Sequence, residues 1–256
     1  MLLAIDIGNT HTVLGCIEDG DIKSIARISS DASKTAHEYA VIIKSVLEFE
    51  NADINALDGA IISSVVPNVT MNMRNAVQAL TGKKPLIVGS GVKTGLDIRI
   101  DNPAEAGSDL IVGAVAALNI AKPPLIVIDM GTATTICAID KNGCFIGGVI
   151  YPGVKVAFSA LSGGASQLPD VAIEAPPRCI GTNTIDSMRS GGVFGTASLL
   201  DGMIDRINDE LGEKAGVIAT GGLARYIIPY CKHEITYDGN LLLKGLEIIY
   251  YKNRKK

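Results

Sequence analysis

The chain has 256 residues, 47% of them hydrophobic, with 23 basic against 27 acidic side chains and a formal net charge of −4. That content fills the core of one large globular domain or two modest ones and excludes a disordered chain. No basic stripe long enough to follow a nucleic-acid backbone occurs, and the tail "YYKNRKK" reads as a short solvated cluster, so no nucleic acid is expected as a partner. The five cysteines form no C-x-x-C pair and no zinc spacing with His, so they read as small buried hydrophobes of a reducing compartment. No positive leader precedes Asp6 and no apolar run reaches membrane-spanning length, so a cytoplasmic protein without membrane contact is expected.

In chain order, the first element is an apolar strand, Leu2–Ile7, that ends in "DIGNTHT". Two readings of this turn stand. A tight hairpin to Thr12–Ile17 would use Gly8 and Asn9 for their tolerance of positive φ. A phosphate loop would use the same small residues to aim several backbone N–H groups at one anion. Next, "SKTAHEYAVIIKSVLEF" places Tyr39, Ile42, Ile43, Val46 and Leu47 at helical spacing, and the helical "NVTMNMRNAVQAL" separates the β-rich "GAIISSVVP" and "KPLIVG". "DNPAEAGSD" then leads into the helical run "GSDLIVGAVAALNIAK".

At 124–140, "PLIVIDMGTATTICAID" repeats the opening grammar of apolar strand, Asp-x-Gly, Thr and second β-rich run, with Asp129 standing 123 residues after Asp6. Such a duplication predicts two similar α/β domains, divided as 1–115 and 116–256. The second half continues with the strand "GCFIGGVIYPG", helices around 154–162, 186–211 and 242–250, and the strand "GVIAT" before the Gly-Gly turn at 221–222. Neither a Walker loop nor a G-x-G-x-x-G fingerprint is present.

Two Asp-x-Gly hairpins opening two duplicated α/β halves resemble the actin, hexokinase and chaperone ATPase superfamily, which implies two actin-like (ribonuclease H-like) domains with a nucleotide cleft between them. Adding "DNPAEAGSD", "GGVIYPG", "GTNT" at 181–184 and "LLLKGL" at 241–246, the chain resembles type III pantothenate kinases in motif order and spacing over nearly its whole length. The resemblance implies an ATP-dependent phosphorylation of pantothenate that opens coenzyme A synthesis. It places ATP on Asp6, Ile7, Gly8, Asn9, Thr10, His11, Thr12, Val13 and Thr132, with N–H groups of Gly8 and Gly131 among the donors. Pantothenate falls to Gly107, Ser108, Asp109, Leu110 and Thr184, and Asp109 is the implied general base. Asp129 is the implied ligand of a monovalent cation, K+ or NH4+, and Asp6 suits Mg2+ held partly through water. A homodimer is also implied. From the residues alone, Asp109 is equally a helix-start carboxylate favoured by the dipole, and Thr184 is nearly as readily an N-cap for the following helix. His37 and His233 receive no role.

One departure stands out. The family's Gly-Ala-Asp-Arg is "GSDL" here, so Leu110 replaces a guanidinium that would suit an anionic substrate, and Ile100 stands where an aromatic residue is common. Arg99 and Arg189 are the nearest substitute donors in sequence. The readings that compete with a pantothenate kinase are a non-catalytic regulatory protein of the same fold and a kinase for a different small alcohol.

Overall fold

The computed structural model describes residues 1–254, so the last two residues of the basic tail lie outside the described residues. The chain forms two compact units. The first comprises Met1–Leu96, Asp101–Ala116 and the stretch from Asn240 onward; the second comprises Asp97–Ile100 and Ala117–Gly239. The crossing at 116/117 adjoins the division placed at 115/116, whereas the C-terminal stretch packs within the first unit.

The first unit holds a five-stranded sheet of β1 (Leu2–Ile7), β2 (His11–Glu18), β3 (Asp21–Ser29), β4 (Gly59–Ser64) and β5 (Leu86–Ile87), in the order β3-β2-β1-β4-β5. β1 pairs antiparallel with β2 and parallel with β4, with Asp6 opposite Val13 on one side and Ser63 on the other. Alternation along β1 then sends Leu3, Ile5 and Ile7 to one face and Leu2, Ala4 and Asp6 to the other. The first face is covered by α1 (Ala36–Phe49) and α2 (Pro67–Thr81), through Tyr39, Ile43, Leu47, Val69, Met73 and Val77. α1 begins at a capping box, in which Thr35 and Glu38 bond each other's backbone N–H; α2 begins with Pro67 at its first turn and ends before Gly82 in the left-handed region.

The opposite face is covered by α3 (Ser108–Ile120) and α8 (Leu241–Asn253): Val112, Val115, Leu243, Leu246 and Ile249 meet Leu2, Ala4 and Ile61. Burial of these apolar side chains explains why the last helix returns to the first sheet. Its end is not a free tail. The Asn253 side chain accepts from Lys93 N–H at 3.0 Å and donates to Lys93 C=O at 2.9 Å, while Lys252 Nζ donates to Thr94 C=O at 3.2 Å. β3 has no fully buried residue, and its polar alternation gives only a weak apolar signal in the sequence.

The second unit repeats this plan. Its six-stranded sheet runs β11-β10-β7-β8-β9-β6, with β7 (Leu125–Met130), β8 (Ala133–Ile139), β9 (Cys144–Pro152), β10 (Gly216–Thr220) and β11 (Thr236–Tyr237) taking the places of β1 to β5; β6 (Asp97–Ile98) adds an edge. β7 pairs antiparallel with β8 and parallel with β10, as β1 does with β2 and β4. β7 and β9 lie 123 residues after β1 and β3 at both ends. α4 (Val154–Gly164), α6 (Thr196–Leu211) and α7 (Ala224–Ile227) cover one face through Val154, Ala197, Leu200, Ile204, Ala224 and Ile227. α5 (Thr184–Ser190) joins α6 through a π-helical segment, Gly191–Gly195, so the helical stretch anticipated at 186–211 is continuous but locally widened.

Candidate active site

In the first unit, the β1–β2 connection is a hairpin turn whose tips, Asn9, Thr10 and His11, are exposed. Gly8 N–H donates to His11 C=O at 3.0 Å, so this N–H is used within the turn. Ile7 and Thr12 are buried and Val13 is half-buried; the Thr12 hydroxyl lies 2.9 Å from that of Ser30. The hairpin reading describes the turn as it stands: it is closed by the Gly8 N–H bond to His11 C=O, with Asn9, Thr10 and His11 facing outward.

Beside this turn, α3 begins with Ser108 and Asp109. Ser108 is nearly buried, and its hydroxyl donates to Ser64 C=O at 2.9 Å, accepts from Ser64 N–H at 3.0 Å and lies 3.0 Å from the Ser63 hydroxyl. It ties the start of the helix to the end of β4. The Asp109 carboxylate accepts the Leu110 N–H at 2.9 Å and curls back over Gly107, where a Cβ would stand 2.4 Å from Oδ1. Burial pushes its pKa above the ordinary carboxylate value, and the bonds from backbone N–H of Leu110 and Asp109 itself only oppose that shift. A carboxyl poised in this way can accept a proton nearer neutral pH than an exposed aspartate can.

The second unit presents the repeated loop. Asp129 lies on β7 between Thr135 on β8 and Thr220 on β10, the strand that leads into the Gly-Gly turn. Gly131 N–H donates to Ala133 C=O at 3.0 Å, a turn one residue shorter than that of Gly8 and His11. Gly153 N–H donates to Thr132 C=O at 3.0 Å, and a Cβ at Gly153 would stand 2.4 Å from the carbonyl oxygens of both Gly131 and Thr132. The loop therefore holds two carbonyls close together over a position only glycine can occupy.

Thr184 lies elsewhere in this unit, in an open groove of about 750 Å3 that Phe158, Leu161 and Met188 line with apolar surface and Thr182, Asn183 and Thr184 with polar groups. The N-cap of α5 is Asn183, which accepts the Asp186 N–H at 2.8 Å; Thr184 is the first helical residue, exposed and not the cap. Phe158, Leu161 and Met188 carry no motif and read as ordinary helical apolar residues, which is why sequence reasoning does not find them.

Neither arginine considered in place of the missing guanidinium is without a carboxylate. Arg99 holds Asp97 through Nε and Nη2, each at 2.9 Å, on an exposed surface, and Arg189 Nη2 lies 3.0 Å from Glu174 Oε2. Cys16, Cys137 and Cys144 are buried as expected, but Cys179 is exposed and Cys231 half-buried; all five are free thiols. Among the described residues no three His, Cys, Asp or Glu side chains cluster as a metal site, and no helix is long and apolar enough to cross a membrane. A metal that arrives with phosphates and keeps most of its waters needs no such cluster, and the Asp6 carboxylate has the right chemistry to hold it.

Comparison with known proteins gives the family. The type III pantothenate kinase family profile matches residues 2–206. A type III pantothenate kinase of an Exiguobacterium species is 43% identical over 255 residues, covering 100% of both chains, and that of Moorella thermoacetica is 42% identical over 253 residues, covering 99% of this chain and 100% of its own. Among solved structures, component A of the Acidaminococcus fermentans (R)-2-hydroxyglutaryl-CoA dehydratase superposes with a TM-score of 0.56 at 18% identity, covering 98% of this chain and 97% of its own. That likeness concerns the fold, two duplicated actin-like (ribonuclease H-like) α/β units. By profile and by full-length identity, the chain belongs to the type III pantothenate kinase family.

Proposed function

We propose that the protein transfers the γ-phosphoryl group of ATP to pantothenate, giving 4'-phosphopantothenate in the first step of coenzyme A biosynthesis, with Asp109 as general base. The observation that carries the residue assignment is the Asp109 carboxyl at the start of α3, held by backbone N–H groups and raised in pKa by burial. Asp109 Oδ1 and Oδ2 are the atoms that would take the proton from the substrate hydroxyl as it attacks phosphorus. Asn9, Thr10 and His11 at the exposed turn, and Thr132 on the repeated turn, would bind phosphate oxygens, and their exposure supports that reading. Gly107, Ser108, Leu110 and Thr184 would orient the acceptor. Mg2+, when bound with ATP, neutralises phosphate charge, and Asp6 would hold it through water.

Asp129 would hold a monovalent cation, K+ or NH4+, a reading whose support is the family resemblance. A cytoplasmic homodimer belongs to the same proposal, its support being the family alone. The test is an ATP-dependent phosphorylation assay over a panel of small alcohols including pantothenate, with and without K+. Turnover of pantothenate above all others, raised by K+ or NH4+, is expected. Preference for another alcohol moves the protein to a different acceptor, and no phosphorylation of any alcohol overturns the kinase reading in favour of a binding role.

A further inference from the structure

We propose that Ser63 is a positioning residue for Asp109: its hydroxyl, donated to Ser108, sets where the base helix begins. The proposal rests on the assignment of Asp109 as general base. Ser63 is fully buried near the end of β4, and its hydroxyl lies 3.0 Å from Ser108 Oγ. Proton counting fixes the direction of that bond. A hydroxyl has one proton and two acceptor lone pairs. Ser108 spends its proton on Ser64 C=O, which can only accept, and uses one lone pair for Ser64 N–H. Only an acceptor position remains, so Ser63 donates.

Two sheet positions meet in this residue. Ser63 is the register partner of Asp6 across the parallel β1–β4 pair, on the face that α3 covers. Ser108 directly precedes Asp109. A single buried hydroxyl pair therefore stands between the strand that carries one candidate carboxylate and the helix that carries the other. The rest of the cluster is built around the same strand end: the Thr70 hydroxyl lies 2.6 Å from Ser64 Oγ, which accepts Val66 N–H at 3.0 Å. Ser64 is thereby fixed from both sides, and the Ser63 hydroxyl adds a third contact that ties Ser108 Oγ to the neighbouring residue of the strand. Without it, Ser108 keeps its two bonds to Ser64, so the helix stays docked but can slide or tilt at its first turn. A base displaced by a fraction of an ångström loses in-line reach without losing substrate contacts elsewhere.

The experiment compares Ser63→Ala, which removes the hydroxyl at nearly constant volume, with Ser63→Thr, which keeps it. Expected for Ser63→Ala is about a tenfold loss of kcat with little change in KM for ATP or pantothenate, and recovery of most of the loss in Ser63→Thr. An activity-independent readout accompanies it: carbon-13 NMR titration of the Asp109 carboxyl, which should move toward the ordinary carboxylate value in Ser63→Ala as water reaches it, and stay at the wild-type value in Ser63→Thr. Unchanged kcat and an unchanged Asp109 titration in a folded Ser63→Ala protein overturn the proposal. Should Ser63→Ala fail to fold, the Ser63→Thr titration decides, a displaced Asp109 despite a retained hydroxyl counting against it. If the wild-type protein phosphorylates no pantothenate, the kinase reading falls, and the carboxyl titration still judges whether Ser63 positions Asp109.

Discussion

Gly107 and Asp109 share one small volume: a methyl group on Gly107 would stand 2.4 Å from Asp109 Oδ1. The clash is with the end of a movable side chain, so Gly107→Ala should leave the fold intact and turn the carboxylate instead. Gly107 is the N-cap of α3, its C=O accepting Ile111 N–H at 3.1 Å, and alanine there costs about 1 kcal/mol or less. The expected outcome is a loss of kcat of about 10- to 100-fold with only a small fall in melting temperature, since misplacement by about 1 Å costs that order in rate. Steady-state kinetics beside thermal unfolding check it; a large fall in melting temperature would show that the glycine serves the fold.

Asp109→Asn separates catalysis from stability. As a lost general base it should lower kcat by roughly 10²–10⁴. The pH dependence has a definite sign. Burial raises the folded-state pKa of Asp109 above its unfolded value, so between the two values the folded protein binds more protons than the unfolded one, and stability falls as pH rises through that window. At neutral pH the buried charge is therefore a cost, which asparagine removes. Asp109→Asn should melt higher than the wild type near pH 7, the gap closing as pH falls through the folded pKa, while wild-type kcat declines over that same acid range. A variant that melts lower at pH 7 would mean that the carboxylate stabilises the fold.

The two hairpins give an internal control. Thr12 and Thr134 occupy equivalent register positions, opposite Ile7 and Met130. Thr12 Oγ1 pairs with Ser30 Oγ at 2.9 Å, whereas the position matching Ser30 is Gly153 and the buried Thr134 Oγ1 has no hydrogen-bond partner. The second turn, shorter by one residue, brings its carbonyls where a serine side chain would go. Thr12→Val should cost about 1 kcal/mol, and Thr134→Val should be neutral or stabilise by up to about 1 kcal/mol. Chemical denaturation of both variants measures the difference; equal losses would mean that Thr134 has a partner in solution.

Asp201 anchors a loop. Buried on α6, it accepts Lys232 N–H at 2.9 Å on both oxygens and His233 N–H at 3.2 Å. Asp201→Ala strands those donors and should cost roughly 1–3 kcal/mol, read as a lower denaturation midpoint with KM values unchanged.

The duplication was legible because Asp-x-Gly after an apolar strand leaves a mark at Asp6 and Asp129 that survives divergence of everything around it. β3 was not, since an edge strand with alternating polar residues buries too little to stand out. The return of α8 to the first sheet was not legible either: amphipathic spacing in "LLLKGLEIIYY" says that one face is buried but not against which sheet, and Leu243 and Leu246 meet partners more than 180 residues earlier in the chain. Within the site, Asp109 was visible through its motif, whereas Ser63 sits in "IISSVVP" as an unremarkable small residue of a strand. Its importance arises only where β4 and α3 meet.

Leu110 remains the sharpest departure from the family pattern. It is half-buried at the start of α3, with Cγ 3.6 Å from where a Cβ on Gly107 would lie, so it packs over the same turn that holds Asp109. Arg99 and Arg189, the nearest candidates in sequence, are paired with Asp97 and Glu174, and the exposed Arg99 pair is weak enough to exchange partners at little cost. A protein that had lost catalysis would have no need to keep Asp109 buried, backbone-bonded and folded over Gly107. We therefore expect the natural Leu110 protein to phosphorylate pantothenate. Leu110→Arg should then act mainly on acceptor KM, because a guanidinium adds an interaction with the bound anion in ground and transition state alike, while kcat changes little. Pantothenate titrations of both proteins decide the matter: activity that appears only with arginine would show that the natural chain is not a pantothenate kinase.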